Sequence, residues 1–211
     1  MEFFLATFTA LFSVVNPFGA IPLFLSLTQD LDTAHRNEQA LKSAVYMFAI
    51  LVVFFFAGTL ILNFFGIRIE DIRIAGGILI CRSAFNLLSP DSFKGKKVSA
   101  EVEEEGMQKE DISFTPMAMP MLSGPGAIAI TIGFFGQASG LKEYLWMVLA
   151  IVAVALLSYL VLRSSPKVNR FLGKAGMASL SRMMGFIVLS IGVSMIVNGI
   201  LPLAHSFFAA P

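Results

Sequence analysis

Six long apolar stretches, at positions 3–27, 43–65, 72–89, 114–137, 144–162 and 183–204, dominate the chain. A helix of about 20 apolar residues crosses the ~30 Å hydrocarbon core of a bilayer, so each stretch qualifies as a span. The rest of the composition agrees: 56% of the 211 residues are apolar and only 14% charged. Soluble domains run at roughly 45–50% apolar and ~25% charged. The chain therefore reads as an all-α polytopic membrane protein with six transmembrane helices. A net charge of +1 gives no basic stripe for nucleic acid, and a lone Cys81 excludes a disulfide scaffold or a Cys-based zinc site.

Basic residues set the expected orientation. Arg36, Lys42, Lys94, Lys96, Lys97, Lys109, Arg163, Lys167, Arg170, Lys174 and Arg182 fall on one side, and only Arg68, Arg73 and Lys142 on the other. The richer side is expected to be cytoplasmic, which puts both termini outside. The first stretch lacks the basic n-region of a signal peptide, since the first cation is Arg36, and it is kept as a span. Ser89–Asp111, with Glu103, Glu104 and Glu105, reads as a solvated cytoplasmic linker.

The two sides of that linker resemble each other. Asn16-Pro17-Phe18-Gly19-Ala20-Ile21 aligns with Ser123-Gly124-Pro125-Gly126-Ala127-Ile128, and Arg73-Ile74-Ala75-Gly76-Gly77-Ile78 aligns with Arg182-Met183-Met184-Gly185-Phe186-Ile187. Order and spacing are both kept. Three spans per half is an odd number, so the halves insert in opposite senses, the inverted-topology repeat of many secondary transporters. The expected organisation is a first three-helix repeat over 1–89, a linker over 90–113 and a second repeat over 114–211.

Helices one and four are expected to be broken at the aligned motifs. Proline lacks an N–H and clashes with the preceding turn, and glycine loosens the backbone. Counting from Phe3 to Asn16 and from Ile112 to Gly124 at ~1.5 Å per residue puts the breaks roughly 20 and 18 Å into their spans. Each break begins a new half-helix, whose first N–H groups and dipole-positive end suit an anionic group such as a carboxylate. Asn16 is a favourable N-cap, and Pro17 and Pro125 suit the first helical position. The candidate substrate-binding residues are therefore Asn16, Pro17, Phe18, Gly19, Ala20, Ser123, Gly124, Pro125, Gly126 and Ala127, the small ones leaving space for a compact solute.

Equally informative is what the spans lack. None of the 14 acidic residues falls inside them, and His35 and His205 are peripheral. A carboxylate proton relay or a hard-cation site is thus disfavoured, and no metal site or cofactor is expected. Thr9, Ser13, Asn16, Thr115, Ser123 and Thr131 are the neutral polar groups near the breaks, and they suit a neutral or zwitterionic solute. Arg82 lies inside span three, where it either neutralises a substrate carboxylate or snorkels toward the cytoplasmic end near Asn86, the favoured reading. Arg73 and Arg182 are either paired gates or interfacial anchors, with anchoring favoured. Gly185, Gly192 and Gly199 recur at seven-residue intervals on one face, a pattern of close helix packing. No metalloprotease, Walker or serine-elbow motif is present, so no enzymatic activity is expected.

Asn16-Pro-Phe-Gly-Ala-Ile-Pro22 with Ser26-Leu27-Thr28, Arg73-Ile-Ala-Gly-Gly77, Pro116-Met-Ala-Met-Pro-Met-Leu-Ser-Gly-Pro-Gly-Ala-Ile128 and Arg182-Met-Met-Gly185 resemble the signature segments of the MarC family. The likeness covers almost the whole chain. It implies a six-span integral membrane protein of a prokaryotic inner membrane, in a family whose name refers to multiple antibiotic resistance. It also implies transport, since an archaeal relative is regarded as carrying small neutral amino acids such as glycine and alanine, and the family looks distantly similar to the LysE and TerC exporters. The resulting expectation is a secondary transporter of small neutral amino acids or similar zwitterions working by alternating access. Its coupling ion would be Na⁺ or H⁺, and its partners the lipid bilayer and the solute. An ion channel or LysE/TerC-type exporter, and a non-transporting membrane protein, are the alternatives.

Overall fold

The computed structural model describes residues 1–89, 106, 109 and 111–208, so the linker expected over 90–113, with Glu103–Glu105, lies almost wholly outside the described residues. Among these, every regular element is helical: α1 (Glu2–Val15), α2 (Pro17–Leu27), α3 (Thr33–Phe65), α4 (Ile69–Leu88), α5 (Pro125–Phe135), α6 (Leu141–Arg163) and α7 (Ser165–Phe208), with an irregular wide-turn segment over Ser113–Leu122.

Helix boundaries follow local chemistry. Asp32 caps α3, its Oδ1 accepting from His35 N at 3.0 Å. That backbone hydrogen bond, together with the His35 side chain, holds the Asp32 carboxyl below its usual value. Gly66 ends α3 with φ 65°, a left-handed conformation that costs glycine little. Arg36 reaches back to the C-terminal end of α2, donating to Thr28 O at 3.0 Å and Leu31 O at 3.1 Å. The last helix bends at Gly173, where φ is 61°, and the apolar part beyond the bend runs from Ala175 to Ala204.

Four stretches are long and apolar enough to cross a membrane alone: Glu2–Leu27, Thr33–Phe65, Leu141–Arg163 and Ala175–Ala204. The pair Ser113–Leu122 and Pro125–Phe135, bent by 61° at its break, makes a fifth when counted as one span. The sixth expected span is α4. It is a continuous 20-residue helix, but Glu70, Asp71, Arg73 and Arg82 leave it short of the composition of a span that crosses unaided.

Burial orders the bundle around the first broken span. In its most apolar window 61% of Glu2–Leu27 is buried, against 28%, 33% and 17% for Thr33–Phe65, Leu141–Arg163 and Ala175–Ala204. Leu11, Val15 and Phe24 of that span meet Met117, Met121 and Leu122 of the wide-turn segment in one core with Met47, Leu51 and Phe55 of α3 and Met147, Ile151 and Val154 of α6. The interrupted elements are thus central, and the regular helices wrap them.

On the flank, α4 and α7 run antiparallel at close approach. A Cβ at Gly192 would lie 2.9 Å from Gly77 O, at Gly199 2.9 Å from Glu70 O, and at Gly185 2.9 Å from Leu87 Cβ. The glycines at seven-residue spacing therefore form the seam with α4. A bulky residue there forces the helices apart, and overpacking of this kind typically costs 1–3 kcal/mol. Gly192→Leu is expected to destabilise by about 1–3 kcal/mol on that basis. Gly133→Ala, in an α5 position where nothing lies within 4 Å, should melt at the same temperature or higher. Thermal unfolding of the purified protein in detergent checks both.

Candidate functional site

The first break is a capped change of helix. Helix α1 ends at Asn16, whose backbone N–H donates to Phe12 O at 2.9 Å and whose φ of 44° is left-handed. Asparagine tolerates that region better than most residues. The same residue opens α2: its Oδ1 accepts from Gly19 N at 3.2 Å, and Pro17 occupies the first helical position, where no N–H is needed. One residue thus closes one half-helix and starts the next. It is 1% exposed, and its Nδ2 has no hydrogen-bond partner among the described residues.

The second break differs. Thr115 (φ −121°, ψ 122°) and Met119 (φ −127°, ψ 123°) are extended, each immediately before a proline. Proline disfavours the α region for the residue preceding it. The chain answers with wider turns, Met117 N donating to Ile112 O at 3.2 Å and Ser123 N to Ala118 O at 2.8 Å. The depth expected for Gly124, counted as helical rise from Ile112, is therefore replaced by an irregular path. Beyond it, Gly124 and Pro125 begin α5 as expected, with Ala127 N donating to Gly124 O at 2.9 Å. Two side chains stitch this path to α3: Gln39 Oε1 accepts from Ile112 N at 3.1 Å, and Ser123 Oγ donates to Met47 O at 3.5 Å.

The structure brings the two breaks together. A Cβ on Gly126 would sit 3.4 Å from Val14 Cγ1 and 2.7 Å from Ile80 Cγ1. Asn16, Pro17, Gly19, Ala20, Ser123 and Ala127 are buried, Phe18, Gly124 and Gly126 half-buried, and Pro125 exposed. The small residues serve packing here: Ile80 fills the space beside Gly126, the Asn16 side chain that beside Gly19, and Ala20 and Ala127 are 0% and 2% exposed.

A cavity of about 340 Å³ lies toward the chain start, between α1, α5, α4 and α7, with Ala10 and Ile130 on the side nearest the breaks. Arg73, Gln137, Ser194 and Asn198 supply its polar groups. The three arginines separate in space. Arg73 is half-buried in this cavity, Arg182 is exposed near the opposite end of the α4–α7 pair, and Arg82 is exposed on the face of α4 that carries Phe85 and Asn86. Arg82 therefore faces away from the breaks, which removes it as the neutraliser of a centrally bound carboxylate.

The profile of the MarC family, described as MarC family integral membrane protein, matches residues 1–204. The chain is 38% identical over 208 residues to the inner membrane protein MarC of Escherichia coli (strain K12) and to that of Shigella flexneri, with 93% of both chains covered in each case. The chain belongs to the MarC family. No solved structure matches it. As a member of MarC it is an integral, multi-pass membrane protein whose relatives are inner membrane proteins.

Gln39, Gln137, Ser194 and Asn198 escaped the sequence reading. The signal for two of them was present: Ser190, Ser194 and Asn198 recur every four residues along an apolar helix, and Asn198 Nδ2 donates to Ser194 Oγ at 3.3 Å. For the first break, Asn16→Ala removes a cap and strands a non-glycine residue at positive φ. Losing a cap costs about 1 kcal/mol and left-handed backbone another 1–2, so the variant should lose about 2–3 kcal/mol. Asn16→Gly, free of the backbone strain, should lose no more than a few tenths. Melting of the purified variants distinguishes the two.

Proposed function

We propose that this MarC protein is a secondary transporter of small neutral amino acids or similar zwitterions. It would cross the membrane six times as two inverted three-helix repeats with both termini outside, its function being permeation rather than catalysis. The buried Asn16 Nδ2, without a hydrogen-bond partner among the described residues and close to where the two breaks meet, carries this reading. An unsatisfied buried donor is costly, and a solute carboxylate would accept from it and from the first N–H groups of α2. Backbone carbonyls and the Ser13 and Ser123 hydroxyls are the acceptors available to an ammonium or to a coupling Na⁺ or H⁺.

Helix directions support the inverted repeat. A two-fold axis in the membrane plane requires equivalent spans that meet across it to run antiparallel, and three equivalent pairs are antiparallel neighbours. Phe3 of α1 meets Phe134 of α5 at 5.8 Å while Val14 meets Gly126. Ala44 and Phe48 of α3 share a groove with Ala155 and Val152 of α6, whereas Phe55 reaches Tyr144 at 5.9 Å. The α4–α7 glycine seam completes the set. Rocking of one repeat against the other would expose the breaks alternately to each side.

Reconstituted in liposomes, the protein is expected to take up or exchange glycine or alanine with saturable kinetics. Gly126→Leu, which pushes against Ile80 and Val14, should abolish that flux while the protein still inserts. Non-saturating ion flux would favour a channel, and liposomes that move none of these solutes would contradict transport.

A further inference from the structure

The cavity around Arg73 has a chemistry of its own, separate from the helix starts. Arg73 is half-buried, and no carboxylate among the described residues lies within 4 Å of its guanidinium, the ion pairs there being His35–Asp32, Lys42–Glu38, Lys42–Asp111 and Arg68–Asp71. The nearby acids of its own helix are therefore no counter-ion: Asp71 pairs with Arg68, and Glu70 makes no ion pair among the described residues. An ionisable side chain that faces a cavity of a membrane protein and lacks an internal counter-ion is a candidate to pair with a group that enters the cavity.

The other polar groups of the cavity are neutral. Gln137 Nε2 is turned to Gly133 O at 3.4 Å, which leaves its carbonyl oxygen free to accept. Asn198 and Ser194 are already joined, and the Ser194 hydroxyl keeps a proton to donate. Ala6, Ala10 and Phe134 supply apolar wall. One fixed cation, uncharged hydrogen-bonding groups, an apolar wall and about 340 Å³ define the complement of a compact organic monoanion. A guanidinium holds a carboxylate through two parallel hydrogen bonds. With no acid in the cavity lining, nothing there selects for a cationic group on the same solute.

We infer that this cavity is a binding site for small carboxylates, with Arg73 as the residue that holds the carboxylate group and Ser194 and Asn198 as its neutral partners. The inference concerns binding alone and stands apart from transport, so it is tested on purified protein with no flux measured. In an uncharged detergent free of added lipid, propionate is expected to raise the melting temperature in a saturable way, and its isosteric amide, propionamide, to leave it unchanged. Arg73→Gln should weaken propionate binding, read by calorimetry, roughly 10–100-fold, the loss of a charged hydrogen bond. Arg73→Lys should lose less, because the charge remains. Should Arg73→Gln fail to fold, Ser194→Leu fills the cavity with Arg73 left in place and is expected to abolish the propionate effect. Equal action of propionamide, propionate affinity unchanged in Arg73→Gln or Ser194→Leu, or stabilisation by sulfate or anionic lipid but not by propionate would each overturn the assignment.

Discussion

Interrupting a helix in the apolar centre of a membrane protein frees backbone amides and carbonyls where no bulk water reaches them, and each must be answered from within. At the first break a single side chain does this. Asn16 turns the chain through left-handed backbone, its own N–H closes α1 on Phe12, and its Oδ1 takes the amide of Gly19. At the second break the answer is distributed. Prolines 116 and 120 extend the residues before them, wide turns recover some of the hydrogen bonds, and Gln39 and Ser123 tie the path to α3. Both solutions require a surrounding wall of protein, which explains why the broken elements occupy the core and the regular helices the periphery.

The periphery is built by a different economy of space. Where α4 and α7 meet, glycines allow backbone to approach backbone, so a helix with four charged residues is held by close packing along its length. Its uncharged seam faces α7, its Arg73 faces the cavity, and its Arg82 faces outward. The cavity is consequently framed by one regular helix from each broken span and by the tightly packed α4–α7 pair. Ala6 and Ala10 come from α1, Ser194 and Asn198 from α7.

Much of this was legible from residue order. Apolar runs gave the helices, Asn16-Pro17 gave the cap and the helix start, and the glycines at 185, 192 and 199 gave a packing seam whose partner only the structure identifies as α4. What escaped depends on tertiary context or on local rules that the helical assumption hid. Thr115 and Met119 precede prolines, a signal against helix that the apolar composition of the span masked. Small residues at 19, 20, 126 and 127 announce close approach, but not whether a solute or a side chain makes it, and Ile80 makes it at Gly126. Gln137 and Asn198 lie far apart in sequence and line one cavity only because α7 and the end of α5 come together beside Arg73.

The two interruptions meet, in antiparallel helices, at the middle of the bundle. Crosslinking checks this: in a Cys81→Ser background, Val14→Cys combined with Gly126→Cys should form a disulfide on mild oxidation in native membranes. Failure to crosslink, with both thiols still reactive toward maleimide, would show that the breaks lie apart.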